Sequence, residues 1–314
     1  MLKKTRKSNN IKVVATGSFV PEKIVTNQDL EKIVDTSDEW ISSRTGIKAR
    51  RYVEKENALD LAYEASIKAI NKVNYDVSKI DLIIVATITA PNKTPSLANL
   101  LQGKLGLDNI MSFDINAACS GFIYALEIAS KLLNNGDFNA ALVIGAETLS
   151  KITNFEDRST AVLFGDGAGA MIIESTNEDK PAHFYSAASS DKDLSLTVDE
   201  NISMDGKKVY QFAVKIIPES IQIVLNDANL GINQINKIIP HQANIRIIET
   251  AAKLLESDMD KFFINIDKYG NTSAASVIIA LDEYINSLED HNGIKVLLVA
   301  FGGGFTWASA ILTL

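Results

Sequence analysis

The sequence has one cysteine in 314 residues, and that scarcity excludes several things at once. A single thiol cannot build an internal disulfide framework, and it fits a reducing compartment. It also excludes a multi-cysteine metal site. Histidine is nearly as scarce. Only His183, His241 and His291 add imidazole, so no structural zinc is expected. Long hydrophobic runs are missing: no apolar stretch approaches the roughly 20 residues that span a bilayer. The basic, polar start MLKKTRKSNN leads into an apolar run, residues 11–15, that is too short for a signal-peptide core. Positive charge is also in deficit. With 31 Lys and Arg against 39 Asp and Glu, the formal net charge of −8 argues against nonspecific nucleic-acid binding. The expectation is a cytoplasmic protein with no membrane span, no nucleic-acid partner and no metal. An acidic partner would have to find a local basic patch.

What the chain does have is core-forming material. The hydrophobic fraction is 46%, ample for a packed interior. The length suits two domains or one large layered domain. Continuous apolar runs at 81–87, 141–145, 237–240 and 295–300 read as buried parallel strands. A first strand over 13–20 ends at Pro21, and 262–266 reads as another. Caps and helical apolar spacing predict helices over 28–34, 58–73, 96–105, 211–230, 245–255 and 273–288, with one more, capped by Thr36-Ser37-Asp38, carrying Trp40. Residues 163–173 read as a glycine-dense turn feeding a strand. From Glu174 to about Lys208 the chain is polar and reads as an irregular bridge with weak strands.

The chain also repeats itself. Ile80-Asp81-Leu82-Ile83 matches Ile235-Asn236-Lys237-Ile238. Phe122-Ile123-Tyr124-Ala125-Leu126 matches Val277-Ile278-Ile279-Ala280-Leu281, and Leu142-Val143-Ile144 matches Leu297-Leu298-Val299. Every pair is 155 residues apart, as Ile80 is from Ile235. Three anchors at one spacing indicate duplication. Residues 1–174 and 175–314 are therefore expected to form two βα halves, with two sheets around shared helices. After the anchors the halves diverge. The first carries residues 148–160 before its glycines, while the second runs straight into Phe301-Gly302-Gly303-Gly304.

Ligands in parallel α/β sheets bind beyond the carboxyl ends of strands, and three such ends carry polar groups. Cys119 lies between a β-like run, 110–115, and an apolar helical run that Asn135-Gly136 stops. Free N–H groups and the macrodipole at that helix start are expected to ease proton loss from the thiol. The alternative is a buried structural thiol. His241 follows a second strand and could simply cap the next helix. Asn271 precedes the 273–288 helix and could be turn chemistry. By the repeat, Cys119 and Asn271 are expected at corresponding helix starts. Glycines 302–304 could be a loop between close-packed strands. Taken together, a thiol, an imidazole, a carboxamide and a glycine turn suit acyl transfer: a nucleophile, N–H donors for an oxyanion and a neutral donor pair for an enolate.

These residues resemble a known family. Ala118-Cys119-Ser120-Gly121, Pro240-His241-Gln242-Ala243-Asn244, Gly270-Asn271-Thr272-Ser273-Ala274-Ala275-Ser276 and Phe301-Gly302-Gly303-Gly304 are similar to the motifs of 3-oxoacyl-ACP synthase III. Ser37-Asp38-Glu39-Trp40-Ile41, Arg44-Thr45-Gly46-Ile47 and Phe164-Gly165-Asp166-Gly167-Ala168-Gly169 extend the likeness over nearly the whole chain. The resemblance implies the thiolase fold, a five-layer α-β-α-β-α sandwich, and condensation of a short acyl-CoA, acetyl-CoA first, with malonyl-ACP. It implies that Cys119 carries the acyl group and that the N–H groups of Cys119 and Gly303 form the oxyanion hole. It implies that His241 and Asn271 hold the malonyl thioester carbonyl. Trp40 and Arg158 match residues that sandwich the adenine of CoA, and Arg44 matches a phosphate ligand. Asn244 and Phe301 match residues near the thiol. Thr94 matches an acyl-pocket position that is bulkier in several relatives, which implies room for primers a few carbons longer than acetyl. Arg246 and Lys253, seven residues apart on one helix, are the candidate ACP contacts, diluted by Glu249 and Glu256. The resemblance also implies a homodimer and no cofactor, CoA thioester being a substrate. The alternatives are a related condensing enzyme of secondary metabolism and a non-catalytic partner subunit.

Overall fold

The computed structural model describes residues 9–314; the basic, polar residues 1–8 lie outside them. The first half opens with β1 (Asn9–Phe19), followed by β2 (Ile24–Thr26), α1 (Asn27–Leu30) and α2 (Asp38–Thr45). Thr26 and Asp29 cap α1 reciprocally, and the Ser37 hydroxyl accepts the Trp40 N–H at the start of α2. Then come β3 (Ala49–Arg51), α3 (Ala58–Lys72), β4 (Leu82–Ala86), α4 (Leu97–Lys104), β5 (Met111–Ile115) and α5 (Gly121–Asn134). The half closes with β6 (Ala140–Thr148), α6 (Arg158–Ala161) and β7 (Asp166–Ser175).

The second half runs through β8 (Pro181–Ala188), β9 (Leu196–Val198), β10 (Ile202–Met204), α7 (Gly206–Ala228), β11 (Lys237–Pro240) and α8 (Ile245–Leu254). It ends with α9 (Ile266–Tyr269), α10 (Ala275–Asn286), β12 (Lys295–Gly302) and β13 (Thr306–Thr313). Among the described residues no helix is long and apolar enough to cross a membrane.

Nine strands hydrogen-bond in the order β11-β12-β13-β8-β1-β7-β6-β4-β5. The seam is narrow: β1 and β8 meet at Asn9↔Ala182 and Asn10↔Pro181. Two half-sheets therefore share one edge contact. Side-chain alternation assigns their faces. Leu82, Ile84 and Ala86 of β4 pack inward with α5 and α10, as do Val296, Leu298 and Ala300 of β12. The opposite faces, with Ile83 and Val85 or with Leu297 and Val299, pack on α3 and α4 or on α7 and α8. This gives the five expected layers: α3/α4, sheet, α5/α10, sheet, α7/α8. Strands covered on both faces need continuous apolar runs, which is why these strands were legible.

Four expectations need correction. Residues 262–266 are not a strand. Phe262 makes one parallel bridge to Ile238, and the Gln242 carboxamide then takes the place of a neighbouring strand. Its NH2 donates to Phe263 O at 3.1 Å, and its Oε1 accepts the Asn265 N–H at 3.1 Å. The polar stretch 174–208 contains β8, a central strand paired with β13 over six residues, and α7 begins at Gly206 rather than 211. Strand β13 was not anticipated, because Ala308, Ser309 and Ala310 are too small to show alternation. Ser309 faces α7, where Ser220 donates to its hydroxyl at 2.9 Å. Finally, residues 166–173 are strand rather than turn. Their glycines make room for α10: a Cβ on Gly169 would lie 2.5 Å from Ile278 Cγ2.

Candidate active site

Cys119 stands on a sharp elbow between β5 and α5. Ala118 is held at φ 46°, a left-handed conformation costly for a residue with a Cβ. The Asn116 side-chain oxygen steadies the turn by accepting the Ala118 N–H at 3.1 Å. Thr306, at the start of β13, donates to Ala117 O at 2.9 Å, and its own hydroxyl accepts from Ser120 at 2.7 Å. Gly302 presses against the same elbow. A Cβ there would lie 2.7 Å from Cys119 N and 3.0 Å from the Ala118 Cβ. Only glycine lets the glycine loop, with Gly303 lining the cavity beside Cys119, come this close.

The second half repeats this elbow residue for residue. Ser273, 155 positions after Ala118, has φ 48°, and Asn271, 155 after Asn116, accepts the Ser273 N–H at 2.9 Å. Asn271 is thus the counterpart of Asn116, and Ala274 the counterpart of Cys119. This corrects the expectation that Cys119 and Asn271 correspond. With its oxygen engaged, the Asn271 amide NH2 is the end left for a ligand. Its backbone is clamped to the first half: Asn271 N donates to Leu163 O and Gly165 N donates to Asn271 O, both at 2.9 Å.

His241 follows β11, and its N–H donates to Val299 O at 2.7 Å. The ring is 2% exposed and packs edge-on against Phe301. Burial pulls its pKa down to about 3, so the imidazole is neutral at physiological pH. Ser276 Oγ lies 2.6 Å from Nδ1 and also accepts the Gln242 N–H at 3.4 Å. With the serine hydroxyl donating to Nδ1, the ring proton is on Nε2. Nε2 is buried without a hydrogen-bond partner. His241 and Asn271 both offer an uncharged N–H donor.

The thiol contradicts one expectation. Burial pushes the Cys119 pKa up to about 12, with the polar Ser273 side chain beside it partly offsetting the rise and the nearby Glu147 charge adding to it. A helix N-terminus contributes about 0.3–1 kcal/mol, less than one pKa unit. Desolvation wins, and the helix start alone does not ionise this thiol.

Cys119 lies where two cavity lobes meet. One lobe, about 400 Å³, is lined by Cys119, His241, Asn271, Asn244 and Phe301 and opens at Trp40 and Arg44. The other, about 520 Å³, has an apolar wall of Ile88, Leu149, Leu196, Val198 and Ile202. Among the described residues no group of three His, Cys, Asp or Glu side chains is placed to hold a metal.

Comparison with known proteins agrees with this geometry. Family models of 3-oxoacyl-(acyl carrier protein) synthase III match residues 113–192, and those of its C-terminal part match 225–314. The chain is 53% identical over 305 residues to a beta-ketoacyl-acyl-carrier-protein synthase III of Acholeplasma laidlawii, covering 96% of this chain and 98% of the relative. It is 48% identical to the same-named protein of Clostridium acetobutylicum, covering 97% and 98%. The crystal structure of 3-oxoacyl-acyl-carrier-protein synthase III from Aquifex aeolicus superposes with a TM-score of 0.95 at 43% identity, covering 97% of this chain and all of that one. The chain belongs to the 3-oxoacyl-ACP synthase III family. It is an acyltransferase of the condensing type, and the family's reaction is the condensation that starts fatty-acid synthesis.

The remaining expected residues of the synthase fall unevenly around the cavity. Arg44 and Arg158 lie over the Trp40 ring at 5.1 and 4.8 Å from its centroid, and Arg158 donates to Asp35 O at 3.2 Å. A base held between Trp40 and Arg158 needs about 3.5–4 Å on each side. Arg158 therefore fills that slot itself here and must swing away to admit a ring. Thr94 is exposed and lines neither lobe of its own chain. The apolar wall of the larger lobe is made by Ile88, Leu149, Leu196, Val198 and Ile202. Arg246 lines the mouth, whereas Lys253 is exposed two turns farther along α8 and outside the cavity. Sequence reading missed Lys207, an exposed cation at the mouth, because it lay in a stretch read as an irregular bridge.

Proposed function

We propose that the enzyme condenses acetyl-CoA with malonyl-ACP to give 3-oxobutanoyl-ACP, CoA and carbon dioxide. The observation that carries this reading is the thiol of Cys119 in one cavity with two neutral, unengaged N–H donors, on His241 and Asn271. The Cys119 sulfur attacks the acyl-CoA carbonyl, and the Cys119 and Gly303 N–H groups stabilise the oxyanion. His241 Nε2–H and the Asn271 amide then hold the malonyl thioester oxygen while the carboxylate leaves as carbon dioxide. Decarboxylation makes the carbon nucleophile without a strong base, so a neutral imidazole is the right partner. Its buried cation would instead stabilise the starting carboxylate.

Trp40, Arg44, Lys207 and Arg246 gather aromatic and positive groups at the mouth, which suits the adenine and phosphates of CoA and an acidic carrier. Asn244 and Phe301 line the approach. In this reading the protein acts in the cytoplasm as a homodimer, and residues 1–174 and 175–314 are its two repeats. The apolar lobe takes the acyl chain and has space for primers longer than acetyl.

Labelled acetyl-CoA and malonyl-ACP should yield labelled 3-oxobutanoyl-ACP, with an acyl adduct on Cys119 by mass spectrometry. Folded protein that gives neither adduct nor product at any pH would sink this reading.

A further inference from the structure

The proposed condensation leaves one buried group beside the thiol without a task. Glu147 sits near the end of β6, fully buried. Its Oε2 accepts from the Thr89 hydroxyl at 2.6 Å, the Ile88 N–H at 3.2 Å and the Thr87 hydroxyl at 3.3 Å. Its Oε1 accepts from the Ser273 hydroxyl at 3.2 Å. Ser273, its hydrogen turned to Glu147, keeps lone pairs for the Cys119 thiol, with which it lines one cavity. The left-handed elbow and the Asn271 oxygen fix Ser273 in this pose. A carboxylate in an apolar interior costs stability even when hydrogen-bonded. Here it forms one end of a continuous path: thiol, serine hydroxyl, carboxylate.

We propose that Glu147 accepts the Cys119 proton through Ser273 during acylation and returns it when the sulfur is released. The inference rests on the acyl-transfer reading above. In acylation the thiol proton moves to Ser273 Oγ as the serine proton moves to Glu147. The freed sulfur pair forms the bond to the thioester carbon, and the carbon–sulfur bond to CoA breaks. CoA leaves as a thiolate and takes a proton from water at the cavity mouth. In condensation the enolate carbon bonds to the acyl carbon, the Cys119 sulfur departs with its electron pair, and Glu147 returns its proton through Ser273. Each turnover consumes one proton, which appears on CoA. Negative charge moves from carboxylate to sulfur, so the core never holds both anions. Ser273, which takes the proton from the reacting sulfur, is then a catalytic residue, and Glu147 a positioning residue acting through it.

The electrostatics agree. Burial pushes Glu147 up to about 7, partly offset by the bonds from Thr89, Ile88, Ser273 and Thr87, so it is poised to exchange a proton near neutrality. The groups that face it are Thr87 and Thr89 beyond β4, Ser273 before α10 and Cys119 before α5. On β7, Asp166 has its oxygens engaged by Ser150 and the Val53 N–H, and His241, which shares the cavity, is neutral.

Alkylation by iodoacetamide reads thiol proton loss whether or not acyl-CoA is a substrate. In the native chain its rate should rise as pH passes through about 7, where Glu147 becomes a base, and then level off. Glu147→Gln keeps the shape but cannot accept a proton. Alkylation at pH 7.5 should fall about 100-fold and the inflection should vanish. Ser273→Ala should lose the same inflection with Glu147 intact, and it decides alone if Glu147→Gln fails to fold. The acyl-enzyme burst with acetyl-CoA should slow in parallel. An unchanged profile in either folded variant overturns the relay. So does faster alkylation in Glu147→Gln, which would mean that the carboxylate merely repels the thiolate. Native protein that alkylates with this profile yet never acylates would instead refute the acyl-transfer reading.

Discussion

The two halves of the molecule build the same elbow and put different chemistry on it. In the first, Asn116, Ala118 and Cys119 form the turn; in the second, Asn271, Ser273 and Ala274 stand at the same positions, 155 residues later. The backbone is shared down to the left-handed residue and the asparagine oxygen that steadies it. The strand ends correspond too. Gly302, 155 residues after Glu147, touches the elbow of Cys119, and Glu147 touches the elbow of Ser273. Each half therefore presents a strand end to the other half's elbow. The scaffold is common to both halves, and three of these equivalent positions differ: Ala118 against Ser273, Cys119 against Ala274, and Glu147 against Gly302.

Exchanging those roles tests the comparison, and the largest effect is expected at the thiol. Cys119→Ala should abolish the acyl adduct. Adding Ala274→Cys should not restore it, because Glu147 rather than the glycine loop meets that elbow; an adduct in the double variant, seen by mass spectrometry, would break the asymmetry. Next come the paired asparagines. Asn271→Ala should still acylate Cys119 yet condense about 100- to 1,000-fold more slowly, through loss of an enolate donor. Asn116→Ala loses only a turn hydrogen bond, about 1 kcal/mol of stability, so its condensation rate should stay close to native.

The strand ends should separate by pH. The folded pKa of Glu147 is raised from 4.5 to about 7, so between those values the folded state holds a proton that the unfolded state lacks. Stability from this group is fully present below 4.5 and declines by about 1.4 kcal/mol per pH unit as pH rises to 7. His241 works in the opposite sense between about 3 and 6.5, where the unfolded state binds the extra proton. Thermal melts should thus show Glu147→Gln gaining on the native chain from pH 5 to pH 8. A constant difference would mean that Glu147 does not titrate there. The smallest effect is expected at the mouth. Arg246→Ala should raise KM for malonyl-ACP a few-fold at low salt, with the difference shrinking as salt screens the contact. The same change at Lys253, outside the cavity, should do less.

Much of this was legible because its signals are local. Residues 82–86 and 295–302 had to be doubly covered strands, since nothing else absorbs so continuous an apolar run. Thr26 and Ser37 announced helix starts, because a side-chain oxygen satisfies a free N–H there. The repeat and the motifs around Cys119, His241 and Asn271 pointed to the site. Less legible were β13, with its small side chains, and residues 262–266, where a glutamine side chain supplies the bonds of an absent strand. Glu147 passed as the polar tail of a buried strand, and Lys207 as part of a bridge.

The sequence by itself determined the doubly covered strands, several helix starts and the residue types available for chemistry, since periodicity and caps are properties of neighbouring residues. The tertiary structure alone decided which elbow faces which strand end and which protonation states result. Those depend on α5 and α10 being buried between the half-sheets, which brings residues 126 positions apart, Glu147 and Ser273, within 3.2 Å and strips water from the thiol between the two lobes. Proton affinity follows from that desolvation, and no local pattern along the chain encodes it.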